Sequence, residues 1–241
     1  MATTALNNKK TIFGLDRHGR KGIVKELAFI VIQFFILTGL AGNLAWVNAW
    51  VYAGLALIYK IIYITMLITK NPNLLNERGR YVKADTKSFD KAFFGLMIPL
   101  NLAQIIVAGL DAGRFGWTHL PAWVNLIGLL SMSAGFVIVL WAMVANTHFE
   151  ASVRIQKDRH HRVCTSGPYK MIRHPGYMGA ILIVFGSPLL LGSGWALVPA
   201  ALTAILFVAR TYLEDQTLQK ELPGYPEYSN ATRYRLLPYV W

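Results

Sequence analysis

Acidic side chains are scarce in this 241-residue chain, with 12 Asp and Glu against 24 Lys and Arg. Charge of either sign is sparse, at 15% of residues where soluble domains carry about 25%. So few solvated groups cannot cover a globule of this size, which places much of the exterior against lipid. Cysteine is nearly missing. The single Cys164 excludes an intramolecular disulfide framework and any cysteine-rich zinc or iron–sulfur site. Internal repeats and low-complexity tracts are lacking too, so the sequence reads as one membrane domain with a polar cytoplasmic cap.

What is present is apolar residues, 54% of the chain, in long runs. Runs of roughly 18 or more such residues read as membrane helices. They are Leu27–Leu44, Ala45–Thr69 with a break at Lys60, Ala92–Leu110 carrying Pro99, and Trp123–Ala145. Tyr177–Leu191, which is shorter and holds Pro188, and Trp195–Leu213 follow, separated by the turn signal Gly192-Ser193-Gly194. The last two form a tight helical hairpin. The runs are continuous rather than alternating, which favours helices over barrel strands. The predicted fold is therefore all-α, a polytopic membrane bundle of about six spans. Residues 1–122 hold an amino-terminal tail and three generic spans. Residues 123–241 hold the fourth span, a polar loop, the hairpin and a carboxyl-terminal cap.

Positive charge orients the bundle. Of the 24 Lys and Arg, 22 fall on one side of a six-span arrangement, from Lys9 and Lys10 before the first span to Arg235 after the last. Only Arg114 stands opposite, and Lys60 lies within a span. Both termini are thus expected in the cytoplasm. The net charge of +12 is topological rather than a nucleic-acid footprint. The first run exceeds a signal-peptide core and no small-residue cleavage site follows it, so a retained anchor is expected. Asn230-Ala231-Thr232 matches a glycosylation pattern by chance, because it falls on the cytoplasmic side.

Polar residues concentrate in Asn146–Pro175 and Arg210–Trp241, which the hairpin brings together. In the first, Ser166-Gly167-Pro168 is a turn, and Pro175 suits the first position of a helix. A helix N-terminus there offers backbone N–H groups to an anion. In the second, Arg210 and Glu214 are four apart on one helix face. They read either as an interfacial ion pair or as site residues facing the bundle interior. His148, His160, His161 and His174 with Cys164 have only one helical spacing among them, His160 to Cys164, so no metal site is expected. Lys60 and Trp46, Trp117, Trp123 and Trp241 read as interfacial anchors.

Val163-Cys164-Thr165-Ser166-Gly167-Pro168-Tyr169 followed by Arg173-His174-Pro175-Gly176-Tyr177 resembles the signature of integral-membrane S-adenosylmethionine-dependent methyltransferases. These are the isoprenylcysteine carboxyl methyltransferases and, more distantly, the phospholipid methyltransferases. The second half is similar as well: Arg210, Glu214 and Asp215, then Gly224-Tyr225-Pro226-Glu227-Tyr228 and Arg235-Leu236-Leu237-Pro238. The resemblance covers roughly residues 125–241. It implies cofactor contacts at Gln156, His161, Val163, Cys164, Tyr169, His174, Pro175, Gly176, Tyr177 and Glu214, and a substrate-contacting Arg210. Asp215 stands where a second Glu is common.

The chemistry agrees with that resemblance. Glu214 can pair with the amino group of S-adenosyl-L-methionine, and N–H groups near His174 with its carboxylate. Tyr169 and Tyr177 can offer aromatic faces, contacts of about 0.5–2 kcal/mol. A carboxylate acceptor is ionised near pH 7 and requires no general base, only a cation such as Arg210. An amine acceptor would require one, from Glu214 or a histidine. The expected partners are membrane lipids and an amphipathic, lipid-like acceptor: a prenylated protein carboxylate, a phospholipid amine or another amphipathic acid. The rival reading is an NADPH-dependent membrane reductase of the sterol-reductase type, with Arg162, Arg173 or Arg233 on the extra phosphate. This chain lacks that group's further spans. A third reading is a non-enzymatic membrane protein retaining the fold.

Overall fold

A computed structural model describes residues 13–80, 83 and 85–241. Lys9 and Lys10, part of the basic set above, lie outside the described residues. The elements are all helical: α1 (Arg17–Ala41), α2 (Val47–Lys70), α3 (Pro72–Arg78), α4 (Ser88–Ala108), α5 (Ala122–Ala145), α6 (Pro175–Leu191), α7 (Leu197–Glu221) and α8 (Tyr225–Ala231). Among the described residues five are long and apolar enough to cross a membrane, and α6 is a shorter apolar helix. The polytopic helical bundle is as the apolar runs predict.

Several boundaries differ, each for a local reason. Helix α1 begins at Arg17, ten residues before the apolar run, because the Asp16 carboxylate accepts the N–H groups of His18 and Gly19. The apolar pattern marks only the part in lipid, so the polar first turns are invisible to it. Lys60 does not interrupt α2. Its ammonium pairs with Glu26 of α1 at 3.0 Å, so it is a partner between helices rather than an interfacial anchor. Pro99 lies inside α4 without ending it. The helix opens instead into a π-helical segment, Gly109–Phe115. Buried Asp111 in that segment accepts hydrogen bonds from the Thr118 and Ser193 hydroxyls, both at 2.7 Å, and from the Trp195 N–H. These bonds pin the turn between α6 and α7.

Helices α5 and α6 approach backbone to backbone. A Cβ on Gly135 would lie 2.5 Å from the Gly179 carbonyl oxygen, and one on Gly179 would lie 2.7 Å from that of Gly135. Only hydrogen fits at either position, as small residues commonly permit between membrane helices. This contact fixes how α5 and α6 lie against each other, and hence the span that the 29-residue polar loop between them bridges. Side chains such as Phe35, Ile98, Leu130 and Ile205 remain exposed on the outer faces, as a lipid-facing surface requires.

Candidate functional site

At the end of the bundle that carries the polar segments lies a cavity of about 400 Å³. Helices supply an apolar wall that includes Phe93, Met97, Val139, Ile183 and Phe207, while the loop supplies Asn146, His148, Gln156 and His161. Ten of the eleven residues implied by the resemblance line it: Arg210, Glu214, Gln156, His161, Val163, Cys164, Tyr169, His174, Gly176 and Tyr177. The exception is Pro175, which is buried at the first position of α6 and sets the helix start.

The loop folds around a buried guanidinium. Arg154 donates to Glu150 at 2.8 and 2.9 Å, to Asp158 at 2.7 Å and to Asp85 at 3.0 Å. Burial raises the Glu150 pKa, but hydrogen bonds from Arg154 and Lys83 outweigh it and hold the carboxyl below its ordinary value. Gln156 is fully engaged. Its amide donates to the His148 carbonyl at 2.7 Å, and its side-chain oxygen accepts from Arg159 at 2.8 Å. The His148 and His161 rings lie 4.8 Å apart. Burial first, and the neighbouring His148 second, pull the His161 pKa from 6.5 to about 4. The ring is therefore neutral at pH 7. The folded state resists its protonation, so its contribution to stability is intact above pH 6.5 and diminishes as pH falls towards 4.

Asp215, fully buried, ties the carboxyl-terminal cap to the loop. It accepts from Tyr225 at 2.8 Å and Arg235 at 3.0 Å, and contacts His174 and Arg173 at 3.3 Å. The Arg173 and His174 N–H groups donate to the carbonyls of Tyr234 and Arg235, each at 2.9 Å. These two donors are thus occupied, which leaves the Gly176 N–H, at the start of α6, as the nearby backbone donor without a backbone partner. The reason is the return of the carboxyl-terminal segment, 61 residues downstream, which no local pattern reports.

Arg210 and Glu214 share a face of α7 and both line the cavity, but they do not pair with each other. Glu214 accepts a short hydrogen bond from the Tyr177 hydroxyl. Arg210 lies 2.7 Å from the fully buried Asp90 of α4, a charge contact without hydrogen-bond geometry. Its Nη2 donates to the Ala151 carbonyl at 2.7 Å. The guanidinium also lies over the rings of Phe93 at 4.4 Å and Tyr177 at 5.1 Å. Tyr177 therefore contributes an oriented hydroxyl and a ring already facing a cation, rather than an open aromatic face. Tyr169 accepts from Asn146 at 3.3 Å, and burial pushes its pKa up. His160 and Cys164 are not on a common helix, since His160 ends a 3-10 turn in the left-handed region, with φ of 51°.

Asp90, Asn146 and Arg78 were given no site role from the sequence, and His148 was weighed only as a metal ligand. Asp90 stood just before an apolar run, which is the one available signal. Its partner is 120 residues away, and such pairings leave no periodic mark.

Comparisons with known proteins agree with the geometry. Residues 123–223 match the family model for phospholipid methyltransferase. Protein-S-isoprenylcysteine O-methyltransferase B of Arabidopsis thaliana is 26% identical over 110 residues, 44% of this chain and 56% of that protein. The probable protein-S-isoprenylcysteine O-methyltransferase of Oryza sativa subsp. indica is 28% identical over 120 residues, 48% of this chain and 62% of its own length. The protein-S-isoprenylcysteine O-methyltransferase of Xenopus laevis is 32% identical over 95 residues, 39% of this chain and 33% of its own. The alignments span less than two thirds of these relatives. Residues 123–223, which supply α5, the polar loop, the hairpin and most of the cavity, are thus similar both to the phospholipid methyltransferase family model and to the isoprenylcysteine methyltransferases.

Proposed function

We propose that the protein transfers a methyl group from S-adenosyl-L-methionine to the carboxylate of an amphipathic, lipid-like acceptor, of which a prenylated cysteine is the best match. The observation that carries this reading is a cavity in which a polar loop faces an apolar helical wall, with Arg210 and Glu214 one turn apart. The relatives' names support the acceptor class. Residues 123–241 form the methyltransferase core on this reading.

The donor set fits the cofactor. Glu214, oriented by the Tyr177 hydroxyl, is the carboxylate for its amino group. Neutral His161, with His148, Asn146 and Cys164, provides polar edges suited to an adenine or ribose. When bound, the cofactor supplies an electrophilic methyl on a sulfonium. The chain's own task is alignment, since holding two reactants in line contributes much of the catalysis of such a displacement. Among the described residues Arg210 Nη1 has no hydrogen-bond partner, which leaves it for an acceptor carboxylate. A carboxylate is ionised near pH 7, so no residue need remove a proton. Phe93, Met97 and Phe207 provide the apolar wall for the acceptor's chain.

Titrating the purified protein with S-adenosylmethionine and with NADPH tests the proposal. Saturable binding of the first alone is expected, and binding of NADPH alone would favour the reductase reading. The cap is proposed to face the cytoplasm, on the basis of the basic excess at that end. Reporter fusions after Leu44 and Gly113 should then report the outside, and fusions after Asp85, His160 and Trp241 the cytoplasm. A fusion at Trp241 reporting the outside would overturn the orientation.

A further inference from the structure

The cavity has a second guanidinium, from outside the family-matched segment, that no carboxylate neutralises. Arg78, at the end of α3, lines the cavity wall. It is held by neutral groups, donating to the Tyr63 hydroxyl at 3.0 Å and to the Phe149 carbonyl at 3.3 Å. Its guanidinium also lies 5.7 Å from the centres of both the Tyr63 and Phe149 rings. Among the described residues no Asp or Glu lies within ion-pair distance of it, and the residues outside them contain neither. Nearby Glu26 is already paired with Lys60 at 3.0 Å, so the group Glu26, Lys60 and Arg78 keeps one excess positive charge.

The other cavity-lining arginines differ. Arg154, Arg173 and Arg210 each contact a carboxylate, and Arg162 is exposed to solvent. Arg210 in particular has its charge offset by Asp90. It can aim hydrogen bonds at a ligand, but it contributes little net attraction for an anion. Arg78 has the opposite character, a fixed cation with no internal counter-charge. A cation held in a partly dry wall meets weak solvent screening, so a ligand anion gains more from it than from a surface residue. The two arginines flank one helix start. The Phe149 ring beneath Arg78 occupies the space beside Gly176, with the site of a Cβ 2.5 Å from the ring, and the next residue, Tyr177, lies beneath Arg210.

We propose that Arg78 is the specificity-determining residue for an anionic acceptor: its unpaired charge selects a carboxylate head group over a neutral one, while Arg210 orients it. The acceptor class rests on the function proposed above, but the charge preference can be measured without turnover.

The test uses the purified full-length chain and two probes, N-acetyl-S-farnesylcysteine and its carboxamide, with affinities measured at equilibrium. The wild type should bind the acid about tenfold more tightly, as expected for one hydrogen bond to a charged group. Arg78→Gln should weaken the acid by a similar factor and leave the amide within about twofold, while Arg78→Lys should keep part of the preference. Three results would overturn the assignment: a wild type without preference, a preference undiminished in Arg78→Gln, or equal losses for both probes, which mark a structural role. Methyl transfer by the wild type is scored separately. Its absence would remove the proposed reaction and leave the charge preference to stand or fall on the binding data.

Discussion

Glu214→Gln is expected to lower affinity for S-adenosylmethionine by roughly 10- to 150-fold, the equivalent of losing one charge-assisted hydrogen bond. The substitution preserves shape. Its amide oxygen can still accept from the Tyr177 hydroxyl that now donates to the carboxylate, so the start of α6 and the face of α7 keep their register. What disappears is the negative charge proposed to meet the cofactor's amino group. Equilibrium binding on the purified variant reads this directly, and its unfolding temperature should stay close to that of the wild type. Unchanged affinity would remove Glu214 from the cofactor site.

The second large effect concerns Arg210, where activity and stability separate. Arg210→Ala strands the Asp90 carboxylate, which is fully buried and whose other oxygen already accepts the Val153 N–H at 2.7 Å. Removing one partner of a buried ion pair costs about 3–5 kcal/mol, so this variant should unfold readily. Arg210→Lys keeps a cation opposite Asp90 but loses the planar fork that reaches the Ala151 carbonyl and lies over Phe93 and Tyr177. Turnover should fall at least about tenfold, because a lysine cannot brace itself on Asp90 and Ala151 and still present the fixed Nη1–H kept for the acceptor carboxylate, while cofactor affinity should remain nearly intact. Pairing Arg210→Ala with Asp90→Asn should recover much of the stability and none of the turnover. Thermal unfolding and single-turnover rates on the three variants check this. Equal losses of cofactor affinity and turnover in Arg210→Lys would mean that the arginine only braces α7 against α4.

Much of the architecture was legible because lipid imposes a simple rule: every crossing segment must be continuously apolar and satisfy its own backbone. That rule locates α2, α4, α5, α6 and the start of α7 to within a few residues, but not the end of α7, whose polar last turns run on past Leu213 to Glu221. Pro175 opens α6 and Gly192 closes it, both through backbone chemistry that is visible in the sequence. The cavity residues were legible through an ordered motif rather than through periodicity. The physical reading of Arg210 and Glu214 as helix-face neighbours was right about the face, but the sequence held no sign of Asp90. Charge pairs such as Arg210–Asp90 between α7 and α4, or Arg154–Asp85 between the loop after α5 and the segment after α3, depend on tertiary packing between distant parts of the chain and leave no local signature. The polar first turns of α1 and the π-helical segment of Asp111 were missed for a related reason. An Asp cap and a widened helical turn both depend on hydrogen bonds that hydropathy does not record.

The most direct measurement follows a labelled methyl group. The purified protein in lipid, given methyl-labelled S-adenosylmethionine and N-acetyl-S-farnesylcysteine, should release the label into a base-labile methyl ester, with none on the carboxamide analogue. Label appearing instead on the amine head groups of the surrounding phospholipids, or remaining wholly in the cofactor while the protein is folded and binds it, would contradict the account.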